Sequence, residues 1–135
     1  MKRILISALI SGLVLFAFSY LILFVSIKFF PTMLEEYYNP VFWPGSERAL
    51  LFYFHPFVLS LALAWFWNRV KSIFKGNTVL KGLEFGLVYG LIATLPAMWI
   101  CFSALNVTLG IVITWLVYGV TQAIIAGLIF ARMNP

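Results

Sequence analysis

Few side chains of this sequence are equipped for chemistry, and its single histidine is the first to consider. His55 precedes Pro56 and is expected about two turns inside the second of four long apolar segments. A titratable group at that depth in an apolar segment is a functional candidate, as a haem ligand or as a proton relay. A haem between helices usually takes two histidines, so only a symmetric dimer of this chain would supply them. A neutral histidine that hydrogen-bonds a neighbouring helix, or the carbonyl freed by Pro56, is the simpler interpretation.

One carboxylate, that of Glu84, falls inside an apolar segment. It is expected about one turn into the third segment, and Lys81 lies three residues earlier on the same helical face. The simpler interpretation is an ion pair at the edge of that segment. The alternative is a carboxylate that couples to the movement of a proton or a cation. Replacement of Glu84 by glutamine separates the two, because only the alternative predicts a lost activity at unchanged abundance.

Further polar side chains recur in the middle of the third and fourth segments. Tyr118, Thr121 and Gln122 lie close together in the fourth, and Tyr89 and Thr94 lie in the third. Their hydroxyl and amide groups can hydrogen-bond across helices, which stabilises a membrane protein by about 0.6 kcal/mol for an average bond. The alternative is a narrow polar path for a small solute. Both interpretations require these side chains to meet.

The residue patterns of the familiar enzyme and metal sites are missing from the sequence. It has no glycine-rich phosphate loop, no CxxC or HExxH motif, no paired-carboxylate catalytic site, and no aspartate for a Ser/His/Asp set. Cys101 is the single cysteine and cannot form an internal disulfide. The sequence therefore predicts no enzyme, no catalytic residue, no metal site and no cofactor.

Small residues recur at every fourth position in the third and fourth segments, which places them on one face of each helix. The absence of side-chain bulk there lets another backbone come close. The simplest interpretation is that the two faces pack against each other within one chain. The alternative is a homodimer or a docking face for a larger membrane complex. The residues are Gly82, Gly86, Gly90 and Thr94 in the third segment, and Gly119, Ala123, Gly127 and Ala131 in the fourth.

The segments that carry these residues predict an all-α fold, a four-helix transmembrane bundle that forms a single domain over residues 1–135. Hydrophobic residues make up 64% of the 135 residues and charged residues 10%, against about 45–50% and 25% in soluble domains. A water-soluble fold could not cover that much apolar surface. Helices three and four are expected to form a short hairpin. The predicted spans are about 4–30, 49–67, 82–104 and 107–131, with an outer loop at 31–48 and a cytoplasmic loop at 68–81.

The basic residues predict the orientation of a multi-pass protein of the inner cell membrane, with both termini in the cytoplasm. Cytoplasmic flanks are rich in Lys and Arg, and these residues gather on the side of the two termini. Trp65, Phe66 and Trp67 lead into that side as a predicted aromatic belt. The net charge of +5 is spread over the span ends rather than gathered in a patch, so no nucleic-acid partner is expected. The basic residues on the predicted cytoplasmic side are Lys2, Arg3, Arg69, Lys71, Lys75, Lys81 and Arg132, against Lys28 and Arg48 on the other.

The opening residues, MKRILISALISGLVLF from Met1 to Phe16, resemble the start of small uncharacterised four-span bacterial inner-membrane proteins. Such proteins often pair a basic N-terminus with a glycine-rich apolar run and a proline at the outer end, where Pro31 stands here. The resemblance covers the first span and the general layout, implies an inner-membrane location, and assigns no functional residue. Size and span count are also similar to those of the small multidrug resistance exporters, which depend on a glutamate buried in the first helix. The first span of this chain has serines and no acid.

Three functions remain open on the sequence alone. The first and simplest is a non-enzymatic accessory or interaction subunit that works by contact in the lipid bilayer, as a homo-oligomer or within a larger membrane complex. The second is a small dimeric transporter or channel built around Glu84, His55 and the cluster from Tyr118 to Gln122. The third is a haem-binding subunit that uses His55. Co-purification, solute flux into liposomes and Soret absorbance, respectively, distinguish the three.

Overall fold

The chain folds almost entirely into helices. The structure, a computed structural model, describes residues 2–42 and 46–135; Met1 and residues 43–45 of the predicted outer loop lie outside the described residues. Within those ranges there are four long helices and no strand. Each long helix has the length and apolar character needed to cross a membrane. In chain order, the first to fourth helices are Lys2–Phe29, Ala49–Val70, Thr78–Ala104 and Leu109–Met133.

Short segments join the long helices. Residues 71–77 connect the second helix to the third, and residues 105–108 form the tight turn between the third and the fourth. The third helix begins at Thr78, earlier than the predicted start at residue 82, because the Asn77 side chain accepts a hydrogen bond from the Leu80 N–H at 2.9 Å and caps the helix. Between the first and second helices lie a short helix at Pro31–Glu35 and 3₁₀ turns at Glu36–Tyr38, Pro40–Phe42 and Ser46–Arg48.

The long helices pair as two hairpins. The first helix packs along the second, and the third packs along the fourth. The fourth helix also contacts the first and the second, so it lies at the centre of the bundle. We call the end with Lys2 and Met133 the terminal end, and the opposite end, with residues 30–42 and 46–48 and the turn 105–108, the loop end.

The third and fourth helices approach each other through their glycines. A methyl group at Gly86 would lie 2.6 Å from Cα of Ile124, and one at Gly127 would lie 2.6 Å from the carbonyl oxygen of Gly82. Neither gap could hold a side chain, so the two backbones are in direct contact. Ala123 and Ala131 are buried on the same face. The face of small residues is thus covered within the chain.

An aromatic cluster fills the terminal end of the bundle. It consists of the buried rings of Trp67, Phe74, Phe85 and Phe130. Trp67 stacks on Phe74 at 5.8 Å and meets Phe85 edge-on at 5.3 Å. Its indole N–H donates to the carbonyl oxygen of Asn134 at 2.9 Å. The assignment of Trp67 to an aromatic belt was therefore wrong, because this ring is only 1% exposed.

The third helix contains one wide turn. Residues Gly90–Thr94 form a π turn, in which the N–H of Leu95 donates to the carbonyl of Gly90, five residues back. Pro96 follows at once and has no N–H to donate, so the regular hydrogen-bond pattern is interrupted at this point. The wide turn lies about halfway along the third helix, beside the cavity described next.

Candidate functional site

A cleft separates the second and third helices toward the loop end. In the described part of the chain, these two helices meet chiefly at the terminal end, where Phe66 and Trp67 contact Phe85 at 5.8 and 5.3 Å. Beyond that contact each helix follows its own hairpin. The second helix packs closely against the first, since a methyl group at Gly12 would lie 2.7 Å from the Phe57 ring. The third helix packs closely against the fourth at Gly86 and Gly127.

The space left between the hairpins is a cavity of about 320 Å³. The fourth helix forms its floor with Tyr118, Gln122 and Gly119. The second and third helices form its walls and include His55 and Ala97. His55 and Ala97 are both exposed, so the cavity opens sideways, on the outer surface of the bundle. Volumes of roughly 300–1,000 Å³ are those of small-molecule sites.

Most of the predicted polar residues meet at this cavity. His55, Tyr118 and Gln122 line it, together with Tyr89 and Thr94 of the third helix. The common location of these five groups on three helices is the main feature of the candidate site. On the sequence alone, His55 was grouped with Tyr118 and Gln122 only in the transporter hypothesis.

Two of the predicted polar residues lie elsewhere. Thr121 is half-buried, and its hydroxyl donates to the carbonyl of Val117 at 2.7 Å, within its own helix. Glu84 is exposed near the terminal end, because Gly82 and Phe85 of the same turn occupy the packed face. Among the residues that the structure describes, the predicted ion pair of Glu84 with Lys81 is not formed.

A chain of hydrogen bonds fixes the floor of the cavity. Ser19 of the first helix donates its proton to the carbonyl of Leu15 at 2.8 Å. A serine has one proton, so in the 2.6 Å contact between Ser19 and Tyr118 the tyrosine donates. Tyr118 in turn accepts from the Gln122 amide nitrogen at 3.0 Å. Ser19 was not among the residues predicted from the sequence. Its signal was the spacing of Ser11 and Ser19, eight residues apart on one helical face.

The direction of these hydrogen bonds determines which polar groups of Gln122 remain beside the cavity. One of the two N–H groups of the Gln122 amide donates to Tyr118, so the second N–H and the carbonyl oxygen lie outside this bond. Gln122 is only 1% exposed. Beside it, the hydroxyl oxygen of Thr94 is buried and has no hydrogen-bond partner within the described ranges. Beside the cavity, the Gln122 amide therefore retains one donor and one acceptor, whereas the hydroxyl oxygen of Thr94 is enclosed by the protein.

The loop end of the cavity is covered by Trp115. Its indole N–H donates to the Tyr37 hydroxyl at 2.7 Å, and its ring packs edge-on against Phe42 at 6.0 Å. Thr108 donates to the carboxylate of Glu36 at 2.8 Å. Burial raises the pKa of Tyr37, so the phenol stays neutral and keeps its contact at ordinary pH. These contacts fix the segment after the first helix above the cavity.

A second and larger hollow, of about 630 Å³, lies on the outer surface of the loop end. Glu35, Glu36 and Asn106 line it. The Glu36 carboxylate is engaged with Thr108 through both oxygens. No group of three His, Cys, Asp or Glu side chains suited to a metal ion occurs in the described ranges. The cavity under Trp115 is therefore the better candidate site.

No family model matches this chain, and neither a curated protein nor a solved structure is significantly similar to it. The function has to be argued from the geometry of the cavity.

Proposed function

We propose that this chain is a non-enzymatic, multi-pass protein of the inner cell membrane that works by contact, as an interaction subunit. Its site of contact is the cleft between the second and third helices. The occupant enters the cleft sideways, from within the bilayer, and is held between the two hairpins.

The location and orientation rest on hydropathy and charge. The four long helices are apolar enough to cross a membrane, and large apolar side chains such as Leu51, Phe54 and Leu91 are more than half exposed. Lipid is the solvent that suits such a surface. Both termini are proposed to be cytoplasmic, because Arg69 and Lys71 lie at the terminal end while Glu36 lies at the loop end. Reporter fusions at the two ends, both active only in the cytoplasm, test this orientation.

One observation carries the proposal, namely a polar floor in an otherwise apolar cleft. Gln122 and Thr94 both line the cavity; the Gln122 amide uses one N–H on Tyr118, and the buried Thr94 hydroxyl oxygen has no hydrogen-bond partner within the described ranges. A polar group without a hydrogen bond in hydrocarbon costs several kcal/mol. An occupant that brings hydrogen-bonding groups from within the bilayer offsets this cost, and lipid tails cannot. The cleft is therefore proposed as a binding site rather than a packing defect.

The glycine faces support the same choice of surface. They were the sequence's first candidates for a homodimer, and within the chain they pack against each other at Gly86 and Gly127. A partner molecule or a second copy must then bind elsewhere, and the cleft is a concave surface between the long helices that is open sideways.

A small transporter is the second candidate, because three of the residues it was proposed to use, His55, Tyr118 and Gln122, share the cavity. Transport needs a path from the cavity to the terminal end. That end is filled by the buried rings of Trp67, Phe85 and Phe130. Of the other two residues it was proposed to use, Glu84 lies on the outer surface and Thr121 bonds within its own helix. Solute flux into liposomes that is lost on changing Gln122 would favour transport over simple binding.

Comparison of a filled cleft with an open one tests the proposed function. The full chain is extracted with its native lipids in polymer-bounded particles, and the bound species are weighed by native mass spectrometry. Ala97→Phe places a ring in the cleft, and Leu91→Phe adds a ring to the exposed surface of the same helix. The wild type and Leu91→Phe are expected to retain a bound molecule or chain that Ala97→Phe loses. Equal bound species in all three proteins would contradict the proposal.

A further inference from the structure

We infer that the terminal end of the bundle binds anionic lipids, and that the Arg69 side chain, which lies over the Trp65 ring, holds a lipid phosphate there. The inference rests on the proposed membrane location but not on the cleft, which opens toward the loop end. Three observations support it: the charge balance of the terminal end, the direction in which Trp65 faces, and the contact between Trp65 and Arg69.

The cations of the terminal end have almost no counter-charge on the chain. Seven of the nine Lys and Arg residues lie at that end, whereas three of the four glutamates lie at the loop end. The fourth glutamate, Glu84, is exposed. Within the described ranges no carboxylate forms an ion pair with any of the seven cations. Their excess positive charge is therefore left for groups outside the chain, and at a membrane surface these are the headgroups of anionic lipids.

Most of the seven cations are free to meet a membrane surface. Lys71 is the exception, because its ammonium group donates to the Asn134 side chain at 2.9 Å and to the Pro135 carbonyl at 2.8 Å. The exposed cations are spread over the first, second and fourth helices and the connection 71–77. A layer of headgroups around the bundle can meet all of them, whereas one narrow ligand cannot. They are Lys2, Arg3, Arg69, Lys75 and Arg132.

Trp65 faces the lipid near the level of the headgroups. Its ring is 56% exposed, because Leu63, Ala64 and Trp67 occupy the packed face of the second helix. That helix has 22 residues, so it is about 33 Å long, close to the roughly 30 Å of the hydrocarbon layer. Arg69 is one residue from the end of the helix. Its guanidinium group therefore stands at the edge of the hydrocarbon, where lipid phosphates lie.

The contact with Trp65 restrains the Arg69 side chain at that edge. The guanidinium carbon lies 4.5 Å from the centre of the Trp65 ring, as a cation–π contact. Among the described residues, no side chain forms a hydrogen bond or an ion pair with Arg69. The planar guanidinium group binds phosphate through its N–H groups, two of which can bond one phosphate together. The ring contact and a phosphate contact therefore do not compete.

This pair of side chains suits a lipid better than a soluble phosphate compound. Trp65 lies one turn nearer the middle of the membrane than Arg69. The ring can contact the acyl chain of a lipid whose phosphate binds Arg69. A lipid with a net negative charge is expected to be preferred, because phosphatidylcholine carries its own cation and brings no net charge to the terminal end.

The test compares phosphatidylglycerol with phosphatidylcholine of the same acyl chains. Each lipid is titrated into the purified full chain in a neutral detergent, and bound lipids are counted by native mass spectrometry. Phosphatidylglycerol is expected to bind at least about fivefold more tightly, which corresponds to one basic residue at an anionic surface. Arg69→Gln is expected to lower the affinity for phosphatidylglycerol about fivefold. Glycerol phosphate, the soluble headgroup, is expected not to displace the lipid at an equal concentration.

Two further variants separate a site at Arg69 from a general effect of charge. Arg48→Gln is the matched control, because it removes the same charge from an exposed arginine at the loop end, beside Glu47. It should leave the affinity for phosphatidylglycerol unchanged. Trp65→Leu keeps every charge and removes the ring under Arg69, so it is expected to lower that affinity at least about twofold.

Equal affinities of the wild type for the two lipids would overturn the inference, and so would equal effects of Arg69→Gln and Arg48→Gln. An unchanged affinity in Trp65→Leu would refute the site at Arg69. Displacement of the lipid by glycerol phosphate would show a site for soluble phosphate and would also overturn the inference. None of these results changes the comparison of Ala97→Phe with Leu91→Phe, so the proposed contact at the cleft stands or fails separately.

Discussion

Tyr118 donates its hydroxyl proton to Ser19, with 2.6 Å between the two oxygens, and so joins the fourth helix to the first. Ser19 fixes this direction because it uses its own proton on the Leu15 carbonyl. Tyr118 can then only accept from Gln122. The orientation of the amide in the cleft therefore depends on a serine of the opposite hairpin.

Removal of the Tyr118 hydroxyl tests this relationship. Tyr118→Phe leaves both Ser19 and the Gln122 nitrogen without their partner, so the free energy of unfolding is expected to fall by about 1 kcal/mol, between the average and the largest values for single bonds in membranes. Reversible unfolding in bicelles measures the change. Thr121→Val, which alters a hydroxyl bonded within its own helix, should cost less. Equal losses for the two variants would refute the proposed chain of bonds.

Contact between the glycines of the second hairpin can be tested by adding a single methyl group. Gly86→Ala brings Cβ to 2.6 Å from the Ile124 backbone, and overpacking of this kind is expected to destabilise the protein by about 1–3 kcal/mol. Gly110→Ala is the matched control, since its nearest neighbour would be the Thr108 hydroxyl at 3.6 Å. The same bicelle measurement applies. The contact is not as described if both variants unfold like the wild type.

The sequence was sufficient for the long helices because hydropathy and length are local properties. Four apolar segments predicted four helices long enough to cross a membrane, and the structure has them. The hydrogen-bond partners within the polar cluster were harder to predict from the sequence. Tyr118 and Gln122 are one turn apart and share a face in any helix, whereas Ser19 is 99 residues from Tyr118 along the chain. Only the packing of the two hairpins brings it close.

The tryptophans of the second helix show the same limit. Trp65 and Trp67 are two residues apart and both precede basic residues, so the sequence assigned both to an aromatic belt. In the structure Trp65 is 56% exposed and lies under Arg69 at 4.5 Å, while Trp67 is buried in the aromatic cluster. Which of two neighbouring rings faces the core is decided by the rotation of the helix, which local composition does not contain.

The difference in burial between tryptophans predicts that their substitutions lower the stability of the fold by unequal amounts. Trp67→Ala removes a fully buried ring and the bond to Asn134, so it is expected to cost about 3–5 kcal/mol of unfolding free energy. Trp99→Ala, at a ring that is 76% exposed, should cost much less. Retention of folded protein after extraction and mild heating provides a direct comparison. Similar retention for both variants would place Trp67 outside the core.

The segment above the cavity is expected to respond to alkaline pH. Burial raises the pKa of Tyr37 above its ordinary value of 10.0; the Trp115 N–H lowers it in part, and Glu36 raises it. The folded chain thus holds the phenol proton more tightly than the unfolded chain does. This contribution to stability is present below pH 10.0 and is lost as the pH rises through the raised pKa.

Ultraviolet titration of phenolate, taken as the difference between the wild type and Tyr37→Phe, measures that pKa in the folded protein. The same difference in the denatured chain serves as the reference. The folded value is expected to be the higher of the two. A folded value at or below the reference would show that Tyr37 is not buried against Trp115.

The most direct test of the cleft as a lipid-accessible binding site uses the unmodified chain. Alanine methyl groups are isotopically labelled, the protein is placed in nanodiscs with 4-decylphenol, a lipid-soluble probe that carries one hydrogen-bonding group, and intermolecular nuclear Overhauser effects are recorded from the ring protons of the probe. Strong effects are expected at the methyl groups of Ala93 and Ala97, which line the cavity, and weak ones at Ala17, which is exposed on the first helix. Effects of equal strength at Ala17 and Ala97 would mean that the probe is merely dissolved in the lipid, and would contradict the binding site.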